Sequence, residues 1–392
     1  FAHTEVVQAA SNFEKVVLVT LKKTKLALPE NVVELVLNYD DFQAKDVLTR
    51  NFFTCTSALF NDLFFRSFNL PYYKTFKSNL NYLLQSIYLA EKIALYLKDN
   101  KVDIRQAYFV SFWFNTWAIA LAVLKKKNKI LDFYSRAHGT DLFEYRVRHT
   151  QRLPFRKFQL KWVTKVFSVS KNGADYLKEK YPQYASKIVY LYLGTQDYGT
   201  NNFNENGVFT IVSCATVRNI KRIFLIPEIL KELNFQVKWV HLGDENLAAP
   251  DPTKETYLRN KESLKACSWI TAVFSGNLSN EEIFNFYKTN SINLFLSVSE
   301  TEGLPVSIME ATSFGIPVMA TDVGGCSEIC NEQTGILIHK DFNVSEVAKL
   351  IREFKVSQQN TYEFRNQTRN FWKANFEVNS NYEKFYSAIE RK

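Results

Sequence analysis

Residues Ser297–Val318 read SVSETEGLPVSIMEATSFGIPV, and this stretch decides how the chain around it folds. It follows an apolar run, Ile292–Ser299, that reads as a buried strand. A short polar loop, ETEG, leads to Pro305, which suits the first turn of a helix because its missing N–H is not needed there. Gly315 closes that helix, Pro317 forbids its continuation, and Ile316–Thr321 reads as the next strand. Strand, helix and strand in so few residues is the unit of a parallel sheet. Two glutamates sit in it, Glu302 just before the helix and Glu310 inside it, among Val306, Ile308, Met309 and Ala311. A buried carboxylate without partners is costly, so Glu310 needs donors. The two vicinal hydroxyls of a ribose would supply them. The helix start, with Gly303, Leu304 and the first-turn amides, attracts an anion such as a diphosphate. A nucleoside-diphosphate sugar lying across the helix would use both glutamates, with its sugar near Glu302. The competing reading of either glutamate alone is a helix cap or an ion pair.

The same alternation extends outward. Val208–Ala215, Gln236–Gly243 and Trp269–Gly276 read as strands, and Arg222–Leu233 and Asn280–Thr289 as helices. The first half repeats the pattern more weakly: a helix over Thr4–Phe13, a strand over Lys15–Leu21, a strand over Ala107–Phe112 and a helix over Thr116–Lys125. A first strand is expected before residue 1. The expected class is therefore α/β, two Rossmann-like domains facing each other across a cleft. The N-terminal domain spans 1–195 and a polar, glycine- and asparagine-rich linker 196–207. The C-terminal nucleotide-sugar domain spans 208–371, and a last helix, 372–392, crosses back to the first domain.

Composition narrows the partners. The 392 residues carry a net charge of +9, which suits nucleic acid, an anionic membrane surface or a phosphorylated small molecule. No zinc finger, RNA-binding aromatic signature or helix-turn-helix pattern appears, which argues against nucleic acid. Five cysteines without a CxxC pair read as reduced thiols of a cytoplasmic protein. Five histidines lack metal-binding spacing, and no DxD triplet occurs.

Residues Glu300–Ile329 resemble the E-x7-E donor-site signature of the retaining glycosyltransferases of family 4, which have the GT-B fold. SCATVRNIKRIFLI (Ser213–Ile226), FSGNLSNEEI (Phe274–Ile283) and SRAHGTDLFEYR (Ser135–Arg146) extend the likeness. It is similar above all to the subgroup that builds bacterial exopolysaccharide, capsule or O-antigen chains. The resemblance implies a metal-independent, retaining hexosyltransferase that needs no cofactor and uses a nucleotide sugar, UDP preferred over GDP, as donor. It implies catalytic roles for His138, Glu302 and Lys221, with Lys221 gripping the donor diphosphate and His138 facing the donor sugar. Glu310, Gly303, Leu304, Pro305, Arg222, Gly276, Asn277, Gly324 and Gly325 would form the rest of the donor site. Thr216 stands where many members carry an arginine. Arg222 has the alternative of a surface charge, and His138 that of a satisfied strand-end histidine. Arg136 and Asp141 either contact the acceptor or cap a helix.

The acceptor, a saccharide or lipid-linked saccharide, would fall to the N-terminal domain. There Leu59–Lys98 mixes aromatic residues with Arg66, Lys74, Lys77, Lys92 and Lys98. It reads either as a face for the anionic inner surface of the cell membrane or as a helical subdomain. Ala107–Lys127 is too polar for a convincing span. Two alternatives to an active transferase are a sugar-nucleotide epimerase of the same fold and a catalytically silent homologue serving as a binding subunit of a polysaccharide assembly complex.

Overall fold

The structure is a computed structural model and describes residues 2–25, 27–63, 70–146, 153–245 and 253–389. Arg66 and the side chain of Lys74 lie outside what is described. The chain falls into two units, Phe1–Leu191 with Tyr382–Lys392, and Tyr192–Asn381. Residues 192–207 thus belong to the second unit and are not a separate linker. Their polar side chains are occupied: Asn201 donates to the Asn290 carbonyl at 2.7 Å, and Asp197 accepts two bonds from Arg369 at 2.6 and 2.7 Å. The part of the C-terminus that joins the first unit begins at Tyr382, not at residue 372.

In the first unit β1 (Val16–Thr20) pairs in parallel with β2 (Val32–Val36). A second parallel sheet holds β3 (Val110–Ser111), β4 (Tyr134–Ala137), β5 (Lys165–Ser168) and β6 (Ile188–Tyr190) in chain order. The strand expected over Ala107–Phe112 contracts to two residues. The helix after it runs Thr116–Lys126, started by Asn115, whose side chain accepts from Trp117 N at 3.2 Å. Every residue from Ala118 to Leu124 is buried, which explains the apolar run without a membrane. Among the described residues no helix is long and apolar enough to cross one. The aromatic–basic segment contains a helix Leu70–Asp99, whose Leu83, Leu84, Ile87, Tyr88 and Ile93 join the core with Ala118–Leu124, Phe133 and Val166. This part of the segment is therefore packed as a helical subdomain.

In the second unit the strands are β7 (Phe209–Cys214), β8 (Val237–Leu242), β9 (Ile270–Phe274), β10 (Leu294–Ser297), β11 (Val318–Thr321) and β12 (Gly335–Ile338). They lie in the order β12–β11–β10–β7–β8–β9, all parallel. Leu294, Phe295 and Leu296 are all buried, as expected for a strand covered on both faces. From β7 the chain winds outward through β8 and β9, then returns to β10 on the other side of β7. In such a sheet the connections after these two central strands diverge, and a crevice opens outside their carboxyl ends.

The helix expected over Arg222–Leu233 is shorter. Two 3-10 turns, Asn219–Lys221 and Ile223–Leu225, precede an α-helix over Ile226–Lys231. Arg222 joins the turns with φ 49°, a left-handed conformation that interrupts helical winding, and Pro227 then opens the helix.

Candidate active site

The connection after β10 contains Glu302, and the connection after β7 contains Lys221. Their side chains meet: Lys221 Nζ lies 2.5 Å from Glu302 Oε1, with both partly shielded. Glu300 N also donates to the Ile220 carbonyl at 2.7 Å, so the two connections are tied through backbone as well. The geometry therefore gives Glu302 a cation within the protein. That is the ion-pair reading of the residue, realised beside a crevice.

Glycines close the site from the β11 side. Gly324 has φ 58°, and a Cβ there would lie 1.9 Å from the Glu302 carbonyl oxygen, so no other residue fits without moving the Glu302 loop. Gly325 N donates to the Gly303 carbonyl at 2.7 Å. Leu304 and Pro305 are buried, and Pro305 is extended at ψ 110°, so the helix begins one residue later than expected, over Val306–Ser313. At the end of β9, Gly276 (φ 67°) accepts from Gly243 N at 2.9 Å and has open space where a side chain would be, while Asn277 is exposed.

Arg222 does not stand ready for a phosphate. Its Nε donates to the Val298 carbonyl at 2.6 Å, and its other nitrogens donate to the carbonyls of Ser299 (3.2 Å) and Lys340 (3.0 Å). It fastens the start of the Glu302 loop. Its donor-binding assignment is corrected accordingly to a positioning contact. Thr216 and Arg218 are exposed on the connection after β7.

Glu310 is the unusual group. Its side chain is partly buried, and no donor of the described residues bonds it; desolvation pushes its pKa up to about 7. The shift from 4.5, at about 1.36 kcal/mol per unit, corresponds to roughly 3 kcal/mol against the charged form. Its charge is felt by Cys214, at the end of β7, whose thiol burial and then Glu310 push up to about 12. Tyr287 on the helix Asn280–Thr289 is raised by burial, then by Cys214 and Glu310. Sequence reasoning missed both neighbours; the one available signal was that Cys214 ends a strand beside the Lys221 connection.

His138, Arg136 and Asp141 belong to the first unit. His138 follows β4, flanked by the rings of Phe112 (4.7 Å) and Trp113 (4.3 Å), and neither ring nitrogen has a partner among the described residues. Burial, then the charge of Arg136, lowers its pKa to about 3, so the imidazole is neutral at physiological pH. Arg136 and Asp141 both have partners within the first unit. Arg136 is fully buried, its guanidinium 4.0 Å from the Phe385 ring centre, 3.5 Å from Glu5, and donating to the Leu191 carbonyl. Asp141 accepts from His138 N and Phe114 N, both at 2.5 Å, and so starts the short helix Gly139–Leu142. Its helix-cap reading is the one realised.

Residues 201–371 match the family model described as glycosyl transferases group 1. The O-antigen biosynthesis glycosyltransferase WbnH of Escherichia coli is 44% identical over 57 residues, 14% of this chain and 17% of that protein. The chain thus spans about a sixth of the length of that relative. Among solved structures, Anabaena HepE in complex with UDP is similar at 15% identity, with a TM-score of 0.62, over 96% of this chain and 100% of that one. Sucrose-phosphate synthase of Thermosynechococcus elongatus is similar at 14% identity, with a TM-score of 0.67, over 98% and 92%. Residues 201–371 are thus similar to group 1 glycosyl transferases, in a chain with the GT-B fold.

Proposed function

We propose that the chain is a retaining glycosyltransferase that moves a hexosyl group from a nucleoside-diphosphate sugar, uridine preferred over guanosine, to a saccharide hydroxyl. The observation that carries this reading is the pairing of Lys221 with Glu302 at a parallel-sheet switch point, beside a helix that holds a partly buried Glu310 without a donor among the described residues. The ribose hydroxyls donate to Glu310. Lys221 holds the diphosphate and balances the charge that grows on it. Glu302 accepts from the donor sugar. The bond from the anomeric carbon to the diphosphate oxygen breaks, its electron pair leaving with the diphosphate. The acceptor oxygen bonds the same face, and its proton passes to the departing diphosphate oxygen. Protein groups supply position and charge, and no metal or cofactor takes part.

The O-antigen relative supports a role in bacterial surface polysaccharide synthesis; we propose a lipid-linked saccharide at the cytoplasmic face of the membrane as the acceptor. With the helix Leu70–Asp99 partly in the core, the membrane contact falls to the exposed Phe52 and Phe53 and to Lys77. Sedimentation with anionic vesicles tests it: binding falls with salt and on Phe53→Glu, and a wild type that never pellets at low salt contradicts it.

The transfer reading is tested by incubation with UDP-, GDP- and ADP-sugars without acceptor. Slow release of a nucleoside diphosphate is expected, fastest with uridine. Binding without release favours the silent homologue, and no binding removes the reading altogether.

A further inference from the structure

Lys221 stands on a connection that has little packing of its own. Of residues 215–220 only Val217 is buried, and the 3-10 turn Asn219–Lys221 has poorer internal hydrogen bonds than an α-helix. We propose that the helix Thr253–Ser263 positions Lys221 by holding this connection on both sides of it, with Tyr257, Asn260 and Lys261 as the positioning residues and Glu245 as their link. This rests on the reading of Lys221 as a ligand of the donor diphosphate and deepens it with residues that act through others.

The first tie runs through the connection after β8. Val217 N donates to the Asp244 carbonyl at 3.0 Å, so the bend of the Lys221 connection follows the backbone at Asp244. The next residue, Glu245, anchors that backbone. Lys261 Nζ lies 2.9 Å from Glu245 Oε1 and 2.8 Å from Oε2, and the Tyr257 hydroxyl donates to Oε1. Tyr257 is fully buried, so its hydroxyl needs that acceptor. Lys261 Nζ also sits 3.7 Å from the centre of the Phe274 ring, at the end of β9. A partly exposed ion pair alone would count for little; here a buried hydroxyl and an aromatic ring fix the same two side chains. On the other side of Asp244, Gly243 N donates to the Gly276 carbonyl at 2.9 Å, so the same anchor reaches the turn after β9.

The second tie is independent of the first. Asn260 is 9% exposed, and its Nδ2 donates at 2.9 Å to the Phe224 carbonyl, in the turn Ile223–Leu225 beyond Lys221. Asn260 and Lys261 follow Tyr257 by three and four residues, so one face of the helix makes all of these contacts. Lys221 is thus bracketed by Val217 and Phe224, both tied to a single helix, while Glu300 holds Ile220 from the β10 side.

Residue-resolved hydrogen exchange on the full chain without ligand, together with calorimetry of UDP-glucose binding, tests the proposal. In Lys261→Met the Val217 and Gly243 amides should exchange about tenfold faster. Those of Ile211–Ser213 in β7 should stay as in the wild type, which shows that the variant is folded. UDP-glucose affinity should fall about 2–30-fold, and the fall should shrink when Lys221→Ala is already present. Lys261→Arg retains both readouts. Lys265→Met, which removes an exposed ion pair with Glu262 at the end of the same helix, changes neither. Wild-type exchange at Val217 and Gly243 overturns the proposal, as does an affinity loss that is the same with and without Lys221. If the two amides open but the wild type binds no nucleotide sugar, the ties stand and the donor reading falls. If UDP-glucose binds the wild type and Lys261→Met equally, the positioning role falls and the donor reading stands.

Discussion

Asp141 and Glu310 are carboxylates in desolvated surroundings, one buried in the first unit and one partly buried in the second, and they are treated differently. Asp141 has two backbone N–H donors and the buried guanidinium of Arg156, which work against burial; its pKa still rises, to about 6. Glu310 has no such donors and rises to about 7. The first carboxylate is built into the fold. The second is held in an unfavourable state, which the proposed function assigns to a hydroxyl-bearing ligand. A charge with its partners in place belongs to the architecture, and one without them is a candidate for a functional site.

The comparison breaks most visibly at Asp141. Asp141→Ala leaves Arg156 buried and uncompensated, a loss of about 3–5 kcal/mol, and denaturant unfolding should show it. A loss below about 1 kcal/mol would mean that Asp141 is not structural.

Glu310→Gln moves stability the other way. The raised pKa means that the folded chain binds this proton more tightly than the unfolded chain between pH 4.5 and about 7. By linkage, wild-type stability falls as pH rises through that window. The variant lacks this cost, so without ligand it is more stable at pH 8 by up to about 3 kcal/mol and gains little at pH 4.5. Thermal melts at the two pH values compare them, and a gap that does not widen at pH 8 contradicts the burial argument.

Lys221→Ala sharpens the contrast between stability and binding. The ion pair is partly exposed, so its loss changes stability by less than about 1 kcal/mol. Nucleotide-sugar affinity falls by about 1.5–3 kcal/mol, roughly 10–150-fold, as a charged partner of the diphosphate disappears. Equal affinity by calorimetry would remove Lys221 from the donor site. The smallest effect is expected from EDTA, which leaves turnover unchanged; a strict Mg²⁺ requirement would contradict charge balance by Lys221.

The sheet of the second unit was legible because its strands are continuous apolar runs and its turns are marked by glycine and proline. The places of Glu302, before a helix, and Glu310, within it, were legible from the proline and glycine that frame that helix, while the Lys221 partner of Glu302 was not. Arg222 was not, because nothing in its sequence distinguishes a phosphate ligand from a residue that gathers three carbonyls in a left-handed turn. Residues 196–207 looked like a linker because asparagine and aspartate are as suited to capping backbone groups as to solvent.

The central claim, that Glu310 awaits the hydroxyls of a nucleotide, is tested most directly by calorimetry of UDP-glucose binding in two buffers of different ionisation enthalpy. At pH 6.5 much of Glu310 is protonated in the free protein, and bonds from the ribose hydroxyls favour the charged form. Binding should therefore release a fraction of a proton, and affinity should weaken further as pH falls. Glu310→Gln should abolish the release. Enthalpies that do not depend on buffer, or the same proton release in the variant, would contradict the account.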